Sequence, residues 1–326
     1  MIDAPRMTGP IPLDAIRDAR KRIASTIVRT PLIRLNVDEA PARIYLKLEN
    51  LQPIGSFKLR GASNAMLQAS PAELAKGVWT VSAGNMAQGV AWCARQMGVK
   101  CSVVAPVTAP EAKLRAIERL GARTVPVSHA KWMEVFQTRQ FEGMEGLFIH
   151  AFCDDAVMAG NGTIGLEILE DLPEVDAIVV PYGGGGLSCG IASAIRALKP
   201  DTKVYAAEVA TTAPLSASLE AGRPMEVKYT PSFVDGIGAP RVFPEMWERA
   251  RRLLDGAIVS SVEEIANSVR LLVERSRVVA EGAGAASVAA ALSGRAGTGS
   301  VVCAVSGGNI DSRKLADILS GHVPGG

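Results

Sequence analysis

Lys58 stands where a cation is electrostatically awkward. The segment LENLQPIGSFKLRGA, residues 48–62, turns at Pro53 and Gly55, offers Ser56 as a helix N-cap and puts Lys58 in the first helical turn. A positive charge is disfavoured at the positive end of a helix dipole. The placement suits an amine kept neutral or tied up as an imine, although for a lone lysine the reading as half of a solvated Lys-Arg pair on a helix would win. A second chemical feature is the run Gly183, Gly184, Gly185 and Gly186, which follows the apolar stretch AIVVP. Without Cβ atoms, backbone N–H groups can converge on an anion at the start of the next helix. A tight turn between closely packed backbones would need the same residues. The run fits neither GxGxxG nor the phosphate loop with a lysine after its last glycine. A third feature overlaps it: GLSCG, residues 186–190, has the GxSxG form of a nucleophile elbow around Ser188. A hydrolase would need an acid and then a histidine downstream, and only His322 follows, so Ser188 reads better as a cap or phosphate contact at the helix start.

Alternating apolar and helical patterns must position these groups. Strands are expected at Ile44–Lys47, Val78–Ser82, Cys101–Ala105, Arg123–Val127, Leu147–His150, Ala177–Pro181, Lys203–Glu208 and Ser300–Val305. Helices are expected at Leu13–Ile23, Phe57–Gln68, Met86–Met97, Ala109–Leu120, Asn161–Asp171, Ser188–Leu198, Val262–Ser276 and Ala283–Ser293. Short apolar strands alternating with helices imply an α/β fold with doubly wound parallel sheets. Residues 75–149 read as a compact βαβαβ unit inserted in a larger block of residues 1–74 and 150–326.

Composition excludes several classes. The chain has 326 residues, with 35 Lys+Arg against 33 Asp+Glu, so no charge excess points to nucleic acid or an anionic membrane. Aromatics at 5% are too few for base-stacking platforms. The most apolar stretch, Val278 to Leu292, is short for a membrane span and carries Glu281. The opening MIDAPRMTGPIPLD lacks the pattern of a signal peptide. Cys93, Cys101, Cys153, Cys189 and Cys303 are scattered and odd in number, which suits reduced thiols in the cytoplasm. They form no CxxC pair, and three distant histidines leave little for a His/Cys metal site.

Four motifs in order carry a resemblance: GSFKLRGA around Lys58, SAGNMAQGVA at 82–91, VPYGGGGLSCGIA at 180–192 and AVSGGN at 304–309. Together with RTPLIRL at 29–35 they resemble fold-type II pyridoxal-phosphate enzymes, in the serine/threonine dehydratase and serine racemase branch. The resemblance implies two doubly wound domains of the tryptophan synthase β type, with the cofactor in the cleft between them. It implies that Lys58 binds pyridoxal 5′-phosphate covalently and acts as the base at Cα, and that Phe57 packs on the cofactor ring. Gly183, Gly184, Gly185, Gly186 and Leu187 would give N–H groups to the phosphate, Asn85 would bond the 3′-oxygen, and Ser306 would face the pyridine nitrogen. The loop Ser82, Ala83, Gly84, Asn85 and Met86 would hold the substrate carboxylate. A small amino-acid substrate and a homodimer are implied as well.

Departures narrow the activity. Racemases of the branch carry a serine where Ala83 stands, so racemisation is expected to be weak. Met86 replaces the usual His and Asn161 the usual Gln. Glu208 matches the acidic ligand of the family's divalent-cation site, but Pro214 stands where its Asp partner would be. The Val234-to-Gly238 loop, VDGIG, resembles a segment near the substrate side chain. The expected reaction is elimination of water from threonine or serine to give a 2-oxo acid and ammonia. The rivals are dehydration of a larger β-hydroxy amino acid (phenylserine, hydroxyaspartate or a hydroxyectoine-derived one), racemisation or β-replacement within the family, and the Ser188 hydrolase outside it.

Overall fold

The computed structural model describes residues 8–325. The first part of the opening segment, residues 1–7, whose pattern argued against a signal peptide, lies outside the described residues. Ten strands form two sheets among the described residues. The larger has the order β1 (Leu32–Arg34), β2 (Arg43–Leu48), β10 (Ser300–Val305), β7 (Ala177–Pro181), β8 (Lys203–Val209) and β9 (Gly256–Ser260). Only the β1–β2 pair is antiparallel. The smaller sheet is wholly parallel, in the order β5 (Arg123–Val127), β4 (Cys101–Pro106), β3 (Val78–Val81) and β6 (Leu147–Phe148).

Strands β7, β10 and β3 are buried at every position, because helices cover both faces. On the large sheet, Ile178, Val180, Val204 and Val302 share one apolar cluster with α1 (Leu13–Ile23), α7 (Asp155–Asp171), α8 (Gly186–Leu198) and α10 (Pro244–Leu253). The alternate residues Ala177, Val179, Val301 and Cys303 pack on the other face with α11 (Val262–Leu271) and α12 (Gly282–Leu292). On the small sheet, Val78 and Val103 meet α2 (Lys58–Gln68), α4 (Asn85–Met97) and α5 (Glu111–Arg119), while Trp79, Val81 and Val104 meet α6 (His129–Thr138). Both sheets are therefore doubly wound, as expected. The short α3 (Pro71–Ala75), α9 (Pro214–Ala221) and α13 (Ser312–Leu319) complete the helices.

Several elements depart from expectation. The edge strands β1 and β9 and helices α3, α6, α9, α10 and α13 are not among the elements expected from the sequence, although α3 opens with a Ser70/Glu73 capping box. Helix α7 begins at Asp155, six residues before the expected start at Asn161. The glycines of its AGNG run, residues 159–162, are contact points. A Cβ on Gly160 would lie 2.4 Å from the Arg60 carbonyl oxygen of α2, and one on Gly162 would lie 2.9 Å from the Gly190 oxygen of α8. Close helix approach, not chain reversal, explains them. The expected helix 262–276 is α-helical only to Leu271 and finishes as a π turn over Leu272–Ser276.

Candidate active site

Helix α2 begins at Lys58 with Phe57 as its N-cap. The turn before it is laced to the end of β10. Phe57 donates its N–H to the Ser306 carbonyl at 3.0 Å, Gly308 donates to Gly55 at 2.9 Å, and Ser56 bridges Gly307. Gly55 has φ +70°, and a Cβ there would lie 2.7 Å from Asn309 Oδ1, so glycine is needed twice over. Two motifs about 250 residues apart in sequence thus become one wall, with Phe57, Lys58 and the buried Ser306 side by side.

The Lys58 amine donates to the Ala151 carbonyl at 2.7 Å and stands 5.1 Å from the centre of the Phe57 ring. No carboxylate pairs with it among the described residues. Burial, opposed by Glu281 and Cys153, brings its pKa down to about 8. A neutral amine is therefore accessible near neutral pH.

The tetraglycine turn lies between β7 and α8. Gly185 has φ +87° and α8 starts at Gly186. Among the described residues, the N–H groups of Gly183, Gly184 and Gly185 donate to nothing within the protein. They stand at a helix N-terminus, where an anion is favoured. Side chains are excluded here as well: a Cβ on Gly184 would lie 2.3 Å from the Phe152 ring, and one on Gly186 would lie 2.6 Å from the Phe152 oxygen. Asn161 steadies the exit by donating Nδ2 to the Gly186 carbonyl at 3.2 Å. This donor set fits a phosphoryl group.

The third wall is the turn from β3 into α4. Ser82, Ala83, Gly84 and Asn85 are half-buried, and Gly84 donates to Ser82 Oγ at 3.1 Å. Asn85 opens α4 and lies across from the β10 segment, where Asn309 Nδ2 donates to Asn85 Oδ1 at 2.8 Å. The Met86 side chain is turned into the apolar core beside Leu59 and Val90, so only its backbone faces the turn. Ala83 offers a methyl and no exchangeable proton.

Two further candidates, Ser188 and Glu208, lie outside these walls. Ser188 is fully buried and donates to the Gly185 carbonyl at 3.1 Å, within its own helical turn. It is a structural hydroxyl, and the exposed His322 forms no dyad with it. Glu208, the acidic residue of the expected cation site, lies at the start of α9. Its Oε1 and Oε2 each accept a backbone N–H at 2.8 Å, from Leu215 and Ser216, so the carboxylate caps α9. No cluster of three His, Cys, Asp or Glu suited to a metal occurs among the described residues.

Two features carried weak sequence signals. Glu281, the single acid in the most apolar stretch of the chain, is the N-cap residue of α12 and accepts the Asn85 Nδ2–H at 2.8 Å on Oε1. Burial, reinforced by Asp235, pushes its carboxyl up to about 7. Arg60, which read as half of a surface pair with Lys58, is fully buried. It is bidentate to Glu49 at 2.8 Å and 2.8 Å, and to Glu167 at 2.7 Å and 2.9 Å.

A sheltered amine without a carboxylate partner and a set of unbonded N–H groups at a helix N-terminus, both on loops at the carboxyl ends of strands, are the kinds of group that a pyridoxal-phosphate enzyme requires. The pyridoxal-phosphate dependent enzyme model matches residues 23–307, and the chain belongs to that family. Its cofactor is pyridoxal 5′-phosphate, and its fold is the fold-type II architecture expected from the sequence. The chain is 39% identical over 315 residues to the L-threonine ammonia-lyase of Thermotoga maritima, covering 95% of this chain and 78% of that one. It is 38% identical to the catabolic L-threonine dehydratase TdcB of Escherichia coli K12, covering 95% and 96%. The serine racemase structure from Dictyostelium discoideum superposes with a TM-score of 0.84 at 34% identity, covering 94% of this chain and 100% of that one. The processed form of threonine deaminase isoform 2 from Solanum lycopersicum gives 0.82 at 29% identity, covering 96% and 94%. No described helix is long and apolar enough to cross a membrane.

Proposed function

We propose that this protein is an ammonia-lyase that removes water from a small β-hydroxy-α-amino acid, threonine or serine, giving a 2-oxo acid and ammonia. The observation that carries the reading is the Lys58 amine, held without a carboxylate partner just after the turn whose backbone is bonded to Ser306. Lys58 would hold pyridoxal 5′-phosphate, with Phe57 against its ring. The N–H groups of Gly183, Gly184, Gly185, Gly186 and Leu187 would take its phosphate, and Asn85 its 3′-oxygen. When bound, the cofactor supplies an electron sink for the substrate Cα.

The backbone of Ser82, Ala83, Gly84, Asn85 and Met86 binds the substrate carboxylate at the start of α4. That grip fixes which Cα bond faces Lys58. The amine, of lowered basicity and released from its covalent duty, takes the Cα proton. Departure of the β-hydroxyl with a proton leaves an enamine, and water converts the released enamine to the 2-oxo acid and ammonia. Ser306 would present a hydroxyl, not a carboxylate, to the ring nitrogen. An uncharged nitrogen weakens the sink and favours prompt loss of the β-group over transamination. Ala83 cannot return a proton from the face opposite Lys58, so dehydration dominates over racemisation.

Residues 75–149 would form a small domain inserted in a large one made of 1–74 and 150–326, with the reaction in the cleft. The two sheets, drawn from those segments, support the division. The five free, buried cysteines suit a reducing cytoplasm, and the working unit would be a homodimer. The test is a screen of β-hydroxy amino acids for 2-oxo acid formation, with chiral analysis of recovered substrate. Keto acid from threonine or serine in large excess over the D-enantiomer supports the reading. Dominant D-product overturns it.

A further inference from the structure

Glu281 lies at one end of the site without a place in the reaction described above. Its backbone N–H donates to the Gly307 carbonyl at 3.0 Å, which fixes the start of α12 against the β10 wall. Its Oε1 accepts the Asn85 amide at 2.8 Å. The neighbouring backbone is shaped around this pair. A Cβ on Gly307 would fall 2.6 Å from Glu281 Oε1 and 3.3 Å from Asn85 Nδ2, so the glycine of AVSGGN leaves room for the carboxylate. Gly236, in the VDGIG loop, covers the same place, and a Cβ there would lie 3.7 Å from that oxygen.

The hydrogen bonds also settle which way Asn85 faces. An ionised carboxylate can only accept, so Nδ2 must point at Glu281. Asn85 Oδ1 in turn accepts from Asn309, which is itself held by donating to the Ile54 carbonyl at 2.9 Å. One N–H of the Asn85 amide is left over.

We propose that Glu281 is a positioning residue: it turns the spare Asn85 N–H toward the cofactor oxygen. The inference rests on the cofactor reading above. The charged groups that act on Glu281 are Asp235 of the 235–237 turn, Lys113 of α5 and Lys58 of α2, with the Asn85 amide from α4. Lys113 and Asp235 pair with each other at 2.5 Å. Burial and Asp235 push the carboxyl up, while Asn85, Lys113 and Lys58 pull it down, leaving it at about 7. Its charge is therefore switched on as the pH rises through neutrality. A protonated Glu281 can also donate, and the constraint on the Asn85 amide is relaxed.

The experiment is a pH titration of the visible absorption of the holoenzyme, wild type against Glu281→Gln and Glu281→Ala. Borohydride reduction and peptide mapping establish occupancy of Lys58. The wild type is expected to show a spectral step near neutral pH. Glu281→Gln keeps an acceptor for Asn85 and removes the charge. It should hold cofactor within about threefold of wild type and lose the step. Glu281→Ala leaves the amide unheld, and cofactor affinity should fall about tenfold, one hydrogen bond's worth. The inference is overturned by a wild type without the step, by a step that survives in Glu281→Gln, or by undiminished affinity in Glu281→Ala. The glutamine variant, nearly isosteric, decides alone if the alanine variant does not fold. A wild type with no visible band and no adduct at Lys58 is a different result, since it sinks the cofactor reading itself.

Discussion

Two lysines of the interior, Lys47 and Lys58, stand eleven positions apart and live in opposite electrostatic settings. Lys47, on β2, is fully buried with its amine 2.6 Å from Glu167 and 2.6 Å from the Thr30 carbonyl. Lys58 is partly buried and has one carbonyl and an aromatic ring for company. Lys47 belongs to a closed set in which Arg60 and Lys47 balance Glu49 and Glu167. Burial would raise the Glu49 carboxyl, but Arg60, helped by Thr30 and Lys47, outweighs it and holds that group below the ordinary carboxylate range. The paired lysine is fixed between Glu167 and the Thr30 carbonyl in the frame of the fold. The unpaired one stays free to change protonation state, which a catalytic base needs. Arg60 ties the two regions together, since it shares the first turn of α2 with Lys58 and anchors that turn from behind.

The sharpest way to break the contrast is to remove each amine's function in turn. Lys58→Ala should lower turnover by about 10³-fold or more while leaving the melting temperature near that of wild type. Steady-state keto-acid formation measures the first and thermal melting the second. Turnover near the wild-type rate would remove Lys58 from the chemistry.

The complementary change strikes the closed set. Glu167→Gln leaves Arg60 and Lys47 sharing too little negative charge inside the protein. Breaking such a pair costs about 3–5 kcal/mol. Denaturant unfolding should register that loss, while any activity remaining at low temperature keeps the wild-type substrate preference. A variant as stable as wild type would mean that water or a rearranged Asp171, 3.8 Å from Lys47, replaces the lost charge.

A third change separates the phosphate cradle from both lysines. In Gly184→Ala the added methyl meets the Phe152 ring. Either the ring or the turn must shift, and the N–H groups lose their convergence. Cofactor affinity should fall about 10- to 100-fold, read by equilibrium dialysis, with a smaller loss of kcat at saturating cofactor. Adding Phe152→Leu should recover part of the affinity if the ring is the obstacle.

The same contrast explains what could be read from sequence alone. Strands β7 and β10 were legible because burial on both faces makes each a continuous apolar run. Strand β1, three residues at an antiparallel edge, and the half-buried edge strand β9 lack that signature. Lys58, the tetraglycine turn and the loop at residues 82–86 were legible because each is a contiguous motif whose chemistry needs consecutive residues. The Asn85–Glu281 hydrogen bond joins residues 196 positions apart, and the Arg60–Glu167 pair spans 107. No local pattern encodes such a partner. The one trace of Glu281 was an acid in an apolar stretch, which sequence reasoning used only to argue against a membrane span. Arg60 was misread because a lone charged residue on a helix is usually solvated.

The smallest effect tests whether freedom to titrate has a cost in stability. An ordinary lysine titrates near 10.5, and folding brings Lys58 down to about 8. Between those values the unfolded chain binds more protons than the folded one, so stability rises with pH there. Below about pH 8 both states are protonated and the folded protein carries the full penalty of the poorly solvated charge. Lys58→Met removes the charge and keeps much of the length of the side chain. In protein freed of cofactor, it should be more stable than wild type by about 1 kcal/mol at neutral pH, a figure kept small by the partial exposure of the residue. The advantage should fade as the pH approaches about 10, where wild-type Lys58 is neutral in the folded state and increasingly so when unfolded. Melting curves of the two apo-proteins at neutral and alkaline pH measure it. An advantage that does not change with pH would trace to packing, and the bare lysine would then cost the fold nothing electrostatically.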